Sequence, residues 1–197
     1  MTSAPLQPSG RPAVFIDRDG TLVFDPPPGY LRDSAQVTLI PGSAAAISRL
    51  QAAGYAVVVV TNQAGISRGH ISGDQYRQVA ARVEELLALE GARLDGTYVC
   101  PHAPEIDGDC PCRKPRLLLY EQAAREHRLD FARSWWVGDR ITDLFPAQSL
   151  AGRGILVLTG EGSAHRGRVA DAGFASAADL AAAAERILSQ TPTRAGA

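Results

Sequence analysis

Short apolar segments alternate along the chain with segments of helical periodicity. Runs of β-branched, aromatic and other apolar residues, which are typical of buried strands, occupy residues 13–16, 55–60, 97–99, 135–137 and 155–158. Apolar residues recur at helical spacing in residues 43–53, 74–90, 117–127, 144–151 and 180–188. Strands that alternate with helices in this way predict an α/β fold, a doubly wound and mainly parallel sheet with helices on both faces.

The length of 197 residues fits one domain and is too short for two full ones. We expect this domain to span residues 12–189, between a flexible N-terminal tail at 1–11 and a flexible C-terminal tail at 190–197. The N-terminal tail lacks the apolar segment of a signal peptide. A strand and a helix use most of the chain between Asp17 and Thr61, so we expect no large cap domain there.

Charge and hydropathy argue against two classes of partner. The formal net charge of -1 gives no electrostatic reason to expect nucleic acid or an anionic membrane. The longest apolar run, near residues 55–60, is far shorter than the roughly 18 residues that indicate a membrane span. We expect a monomer whose partner is a small molecule.

Polar residues follow three of the predicted strands directly. They are Asp17-Arg18-Asp19 after the first strand, Thr61-Asn62 after the second, and Gly138-Asp139 after the fourth. Ligands of doubly wound sheets bind beyond the carboxyl ends of the strands. The three polar clusters therefore predict the position of the active site.

Asp17 and Asp19 stand two positions apart where the chain leaves the first strand, so their side chains can face the same side. Two such carboxylates repel each other unless a cation lies between them, and Mg²⁺ is a hard divalent ion that prefers oxygen ligands. Asp139 would supply a further carboxylate. The sequence predicts a magnesium site formed by Asp17, Asp19 and Asp139.

Phosphoryl transfer is the chemistry that matches this acid cluster. One aspartate attacks phosphorus, and the other protonates the departing oxygen and then activates water. Thr61 and Lys114 are suited to bind the negative phosphoryl oxygens. Asp-x-Asp-Gly-Thr alone fits a simple turn equally well, but its place after a strand and the other two clusters favour a site. Asp143 is a brace for Lys114 or for the waters of the metal, the N-cap of the following helix, or both.

All three cysteines of the chain lie in one loop beside a histidine, at Cys100, His102, Cys110 and Cys112. These ligand types suit a tetrahedral zinc ion, and the alternative is three ordinary cysteines and a surface histidine. Because four protein ligands leave no open coordination position, we interpret the loop 100–112 as a structural zinc clip that holds Arg113 and Lys114 against a phosphate. Cysteines clustered in this way also favour a reducing cytoplasm over a secreted disulfide scaffold.

Taken in order, the motifs resemble the signatures of the haloacid dehalogenase (HAD) superfamily of phosphatases. They read Phe-Ile-Asp-Arg-Asp-Gly-Thr-Leu at 15–22, Val-Thr-Asn-Gln at 60–63, Lys114, and Val-Gly-Asp-Arg-Ile-Thr-Asp at 137–143. The resemblance covers most of the chain and implies a HAD-like Rossmannoid fold.

By this resemblance Asp17 is the nucleophile and Asp19 the acid and base. It also implies that Mg²⁺ is held by Asp17, Asp139 and the backbone carbonyl of Asp19. The phosphoryl group would be stabilised by Thr61, Arg113 and Lys114.

Within the superfamily, the chain resembles the D-glycero-D-manno-heptose 1,7-bisphosphate phosphatases and, next, the histidinol-phosphatases. The sequence at 61–69 and Asp25 with Gly29-Tyr30 favour the heptose family, whereas Leu117-Leu118 and Gly-Asp-Arg-x-Thr-Asp at 138–143 suit the other. A non-catalytic, zinc-stabilised binding module that kept the fold is a remote third reading. We expect six residues to contact the substrate: Asp25, Tyr30, Asn62, Gln63, Arg68 and Arg140.

Overall fold

The structure is a computed structural model that describes residues 10–25 and 29–190. Most of both predicted tails therefore lies outside the described residues. Arg11, which we assigned to the N-terminal tail, is held in place, because its guanidinium donates to the carbonyls of Gly54 and Tyr55 and to Asp95 Oδ1.

Within residues 10–25 and 29–190, six parallel strands form one sheet in the order β3-β2-β1-β4-β5-β6. The strands are β1 Ala13–Ile16, β2 Ala56–Asn62, β3 Gly96–Cys100, β4 Trp135–Gly138, β5 Arg153–Val157 and β6 Ala175–Ala177. The five predicted strands are confirmed with small shifts at their ends. We missed β6 because Ala-Ser-Ala carries no β-branched or aromatic residue to mark it.

The described residues contain seven α-helices, of which six lie between consecutive strands and the last follows β6. They are α1 Ser43–Ala52, α2 Gly73–Leu89, α3 Pro104–Asp107, α4 Leu118–His127, α5 Ile141–Ser149, α6 Gly162–Asp171 and α7 Leu180–Ser189. The short helix α3 and helix α6 were not predicted. Helix α6 is mostly polar and buries only Gly162 and Val169, so it has almost no apolar face to recognise. Helix α5 begins at Ile141 rather than near 144, which places Pro146 inside it.

The sheet separates two apolar cores, as a doubly wound fold requires. Alternate strand residues such as Val14 and Val57 face α1, α2 and α7, whereas Phe15 and Val58 face α4, α5 and α6. Burying one such side chain stabilises the fold by about 1.5–3 kcal/mol, so these cores fix the strands firmly. No helix in the described ranges is both long and apolar enough to cross a bilayer.

The topology brings the polar strand ends together. β1 lies between β2 and β4, and Ile16 is in register with Val59 on one side and Val137 on the other. The chain winds away from β1 in opposite directions, which opens a crevice at the carboxyl ends of these strands. Only α1, short loops and a single 3₁₀ turn at Ser34–Gln36 lie between β1 and β2 in the described residues, in agreement with the absence of a large cap.

Candidate active site

A buried lysine connects two buried aspartates at the carboxyl edge of the sheet. Lys114 Nζ lies 2.6 Å from Asp17 Oδ1 and 2.8 Å from Asp143 Oδ1, and it donates to the carbonyl of Val60 at 2.8 Å. Burial lowers the pKa of Lys114, but the two carboxylates outweigh it and raise the pKa above its ordinary value. The lysine is therefore a fixed cation beside Asp17.

Asp143 braces Lys114 and also stabilises the start of α5. It is the third residue of that helix, and its Oδ2 accepts the backbone N–H of Arg140 at 2.9 Å. The helix thus begins before Asp143, and the predicted N-cap position is corrected to Arg140.

Asp139, at the end of β4, completes an acid cluster with Asp17 and Asp143, in which one oxygen of each lies within 4.8 Å of the others. Burial, with the neighbouring carboxylates, raises the pKa of Asp17 to about 6 although Lys114 opposes this. Burial and the charge of Asp17 raise the pKa of Asp139 to about 7. Asp139 Oδ1 is buried without a hydrogen-bond partner among residues 10–25 and 29–190. Crowded carboxylates with one unpartnered oxygen fit a hard divalent cation such as Mg²⁺.

Two glycines enclose Asp139. A Cβ atom on Gly20 would lie 2.4 Å from Asp139 Oδ2, and one on Gly160 would lie 2.2 Å from it. Both glycines also have positive φ, at 75° and 54°. Only glycine therefore allows the two loops to approach this carboxylate so closely.

The loop after β5 belongs to the site, although the sequence reasoning did not include it. Thr159 Oγ1 donates to the carbonyl of Gly20 at 2.6 Å, and the N–H of Glu161 donates to Asp139 Oδ2 at 2.8 Å. The sequence could have indicated this loop, because Thr-Gly-Glu-Gly directly follows a predicted strand. A polar segment in that place lies at the carboxyl edge of the sheet, where the other site residues lie.

The side chain of Asp19 is paired within the protein. Its carboxylate accepts two hydrogen bonds from Arg18, each of 2.9 Å, and one from Gln63 Nε2 at 2.6 Å. A cation between Asp17 and Asp19 is thus not needed, because an arginine already neutralises Asp19. Asp139 and Asp143 each place an oxygen within 4.8 Å of an oxygen of Asp17. The charge of Asp19 also contributes, after burial and Asp143, to the raised pKa of Asp17. A role for the backbone carbonyl of Asp19 stays a prediction.

Asn62 and Gln63 hold protein groups rather than pointing freely into the cavity. Asn62 Oδ1 accepts the N–H of Lys114 at 3.0 Å, and its Nδ2 donates to the Lys114 carbonyl at 3.3 Å. Gln63 Nε2 contacts Thr61 Oγ1 at 2.9 Å as well as Asp19. In this structure the two amides position Lys114, Thr61 and Asp19. Both also line the cavity, and their contact with substrate stays a prediction.

A cavity of about 880 Å³ opens above these groups. On one wall, Arg68 Nη1 donates to Tyr30 Oη at 2.6 Å, and Arg68 Nε contacts Glu105 Oε1 at 2.5 Å. On the other wall, Arg140 Nη2 lies 2.6 Å from Glu161 Oε1. All the predicted substrate residues line the cavity: Asp25, Tyr30, Asn62, Gln63, Arg68 and Arg140. Glu161 and His165 are among the lining residues that were not predicted. Burial and the charge of Asp19 raise the pKa of Asp25.

The four predicted zinc ligands converge. The ligand atoms of Cys100, His102, Cys110 and Cys112 lie within 4.8 Å of one another. The Sγ atoms are 3.1–3.6 Å apart, and His102 Nδ1 is 3.1 Å from Cys112 Sγ. A tetrahedral ion with bonds of about 2.3 Å separates its sulfur ligands by about 3.8 Å, so slight expansion of the cluster fits zinc. Arg113, directly after Cys112, donates to the His102 carbonyl at 3.3 Å and lines the cavity.

Comparisons with known proteins show which family the chain is similar to. A HAD-hydrolase-like family model matches residues 111–183. The chain is 42% identical over 161 residues to the D-glycero-beta-D-manno-heptose-1,7-bisphosphate 7-phosphatase of Pasteurella multocida, covering 77% of this chain and 84% of the relative. It is 36% identical to the enzyme of the same name from Pseudomonas aeruginosa, covering 90% and 98%.

A solved structure has the same fold over nearly its whole length. The D,D-heptose 1,7-bisphosphate phosphatase from B. bronchiseptica, complexed with magnesium and phosphate, matches with a TM-score of 0.80 and 33% identity, covering 91% of this chain and 99% of that one. The chain therefore belongs to the heptose-1,7-bisphosphate 7-phosphatase family of HAD phosphatases.

Proposed function

We propose that this chain is a Mg²⁺-dependent phosphatase that hydrolyses D-glycero-β-D-manno-heptose 1,7-bisphosphate to the 1-phosphate. The observation that carries the proposal is Asp17, a buried carboxylate held by Lys114 at the centre of an acid cluster. The names of the relatives support the heptose substrate and its β anomer over histidinol phosphate. Asp17, Asp19, Lys114 and Asp139 are all present, which argues against a non-catalytic binding module.

Asp17 is the proposed nucleophile. One of its oxygens attacks the C7 phosphorus, and the bond between phosphorus and the sugar oxygen breaks. Asp19 lines the same cavity and gives its proton to the departing oxygen. Asp19 then takes a proton from water, which attacks the phosphorus and releases phosphate from Asp17.

The negative charge of the transferred group needs several partners. Bound at Asp17 and Asp139, Mg²⁺ would offset the charge on the phosphoryl oxygens. Lys114 holds Asp17 in place and supplies a fixed positive charge. Thr61 and Arg113 line the cavity beside it and would donate hydrogen bonds to the remaining oxygens.

We propose that the zinc clip fixes Arg113 and Lys114 after its last ligand. It also connects to the wall of the cavity, because Glu105 in α3 accepts a hydrogen bond of 2.5 Å from the cavity-lining Arg68. Ordering this loop with a metal avoids the entropy that a flexible loop would lose at each binding event. Three free thiols in one cluster suit a reducing compartment, so we also propose a cytoplasmic location.

The test is an assay of the purified protein with Mg²⁺ and either heptose 1,7-bisphosphate or histidinol phosphate. Phosphorus NMR of the products reports which phosphate leaves. We expect rapid loss of the C7 phosphate only. Faster turnover of histidinol phosphate would reject the heptose assignment, and no release from either compound would support a binding module.

A further inference from the structure

Arg18 is a buried cation at the active site that none of the proposed steps uses. Its side chain is only 3% exposed, and it is not among the described residues that line the cavity. Burying a guanidinium is costly unless its charge is balanced. The contacts of Arg18 therefore indicate what its charge does.

The guanidinium holds the carboxylate of Asp19 through two hydrogen bonds. Nε lies 2.9 Å from Asp19 Oδ1, and Nη2 lies 2.9 Å from Asp19 Oδ2. This two-point contact fixes both the position and the plane of the carboxylate. Consecutive side chains of a strand point to opposite faces. Here the chain turns after β1, as the Arg18 carbonyl accepts the N–H groups of Leu22 and Val23, and the two side chains meet.

Other groups fix Arg18 and Asp19 in turn. The guanidinium carbon of Arg18 lies 5.5 Å from the centre of the Tyr76 ring on α2, a cation–π contact. Gln63 Nε2 also donates to Asp19 Oδ2, at 2.6 Å. The carboxylate of Asp19 is therefore held by two side chains, yet its own side chain stays 20% exposed and lines the cavity.

We propose that Arg18 is a positioning residue that, supported by Tyr76, holds Asp19 in the orientation needed for proton transfer. This inference rests on the proposed function, since it needs Asp19 to exchange a proton with the leaving group. Arg18 does not contact the substrate, so its loss lowers the rate of the chemical step and leaves binding unchanged.

Leaving-group dependence tests this role directly. A general acid matters for phenyl phosphate, whose leaving group needs a proton, and little for p-nitrophenyl phosphate, whose leaving group is more acidic. The measured quantity is kcat/KM, which includes only the steps up to departure of the phenol. Loss of structure lowers both rates equally, whereas loss of proton transfer lowers the phenyl phosphate rate selectively.

The variants are Arg18→Met, Arg18→Lys, Asp19→Asn and the double variant Arg18→Met with Asp19→Asn. For phenyl phosphate we expect Asp19→Asn to lower kcat/KM about 10²-fold or more, and Arg18→Met about 10-fold or more. For p-nitrophenyl phosphate both losses should be several-fold smaller. Arg18→Lys keeps the charge but not the two-point contact, so it should recover part of the loss. The double variant should be no slower than Asp19→Asn, because Arg18 acts through Asp19.

Two comparisons separate this role from ordinary packing: Arg11→Met with Arg18→Met, and Tyr76→Phe with Tyr76→Leu. Arg11→Met removes another arginine paired with an aspartate, far from the cavity, and should leave the ratio of the two rates unchanged. Tyr76→Phe keeps the ring under Arg18 and should behave like the wild type, whereas Tyr76→Leu should show a mild form of the Arg18→Met defect.

Equal losses on both aryl phosphates in Arg18→Met, or additive losses in the double variant, would overturn the inference. Wild-type rates in Arg18→Met would do the same. If Asp19→Asn lowers kcat/KM equally for the two aryl phosphates, the acid role of Asp19 in the proposed function fails. That result differs from a failure of the Arg18 inference alone, in which Asp19→Asn keeps its selective loss on phenyl phosphate.

Discussion

Asp95 and Asp139 are both shielded aspartates at the ends of strands, but they differ in how many hydrogen-bond donors their carboxylates receive. At the amino end of the sheet, Asp95 accepts hydrogen bonds from Arg11, Gln51 and the N–H of Val57, each of 2.8–2.9 Å. At the carboxyl end, Asp139 receives one N–H, from Glu161, and its other oxygen has no partner in the described chain.

The pKa values follow this difference in pairing. Burial raises the pKa of Asp95, but hydrogen bonds from Val57 and Gln51 and the charge of Arg11 outweigh it, so the pKa is lowered. Burial and the charge of Asp17 raise the pKa of Asp139 to about 7. A fully paired aspartate stabilises the fold, whereas an underpaired one beside another acid indicates a ligand. The comparison thus separates a structural acid from a functional one.

Asp17→Asn should have the largest effect on catalysis. The amide cannot attack phosphorus, so turnover should fall at least ~10³-fold. Metal-free Asp17→Asn should melt no lower than the wild type, because a repelling buried charge is removed. Asp95→Asn is the matched control, and its turnover per folded molecule should stay within about twofold. Substantial turnover in Asp17→Asn would remove it as the nucleophile.

Gly160→Ala should weaken magnesium binding. Its Cβ would lie 2.2 Å from Asp139 Oδ2, so the loop or the carboxylate must shift. Disturbing the groups that orient a metal ligand costs about 10–100-fold in affinity. Gly173→Ala also sits at a positive φ, 78° against 54° at Gly160, but has open space around its Cβ, so it controls for backbone strain. Calorimetric titration with Mg²⁺ measures both variants, and equal affinities would contradict the close approach.

Asp95→Asn should lower stability rather than activity. Removing a charged acceptor with three donors costs about 1–3 kcal/mol, which corresponds to a fall in Tm of roughly 2–10 °C for a chain of this size. Chemical denaturation of the variant measures the free energy of unfolding. An unchanged free energy of unfolding would mean that the hydrogen bonds between Asp95 and its donors, including Arg11, contribute nothing to stability.

The smallest predicted effect is a pH dependence of stabilisation by Mg²⁺. In the metal-free protein, Asp17 and Asp139 have raised pKa values, about 6 and about 7, against an ordinary 3.8. Protonation of these groups favours the folded state, so their contribution is full below pH 4 and is lost as pH rises to about 7. Because Mg²⁺ binds the ionised forms, the rise in Tm on adding Mg²⁺ should grow from pH 5 to pH 8.

Asp95 should not contribute to this trend. Its lowered pKa gives stability that is lost only as pH falls through a value below 3.8. Asp139→Asn should abolish most of the dependence on Mg²⁺ and pH, whereas Asp95→Asn should keep it at a lower Tm. Thermal melts with Mg²⁺ or a chelator test this, and a shift that is equal at pH 5 and pH 8 would contradict it.

The sequence predicted the features that depend on local pattern. Five strands were visible as apolar runs, and Asp17, Thr61 and Asp139 were visible because each directly follows, or nearly follows, a predicted strand. The four candidate zinc ligands were recognisable because ligand chemistry and clustering are properties of sequence. The relative positions of the strand ends followed from the topology of parallel sheets.

The features that were missed depend on side-chain direction and on contacts between distant segments. Nothing in Arg18-Asp19 shows that the two side chains meet, so the arginine that neutralises Asp19 was not predicted. Asn62 and Gln63 stand in a recognisable motif, but their engagement with Lys114 and Asp19 is decided by packing. Asp95 has no motif at all, because its three donors come from separate parts of the chain.

Phosphorylation of Asp17 is the central claim, and it is tested most directly by mapping the covalent intermediate. Acid quenching during turnover of heptose 1,7-bisphosphate, followed by borohydride reduction and peptide mass spectrometry, converts a phosphorylated aspartate to homoserine. We expect homoserine at position 17 in the wild type and in Asp95→Asn. Homoserine at another aspartate, or none while phosphate is released, would contradict the account.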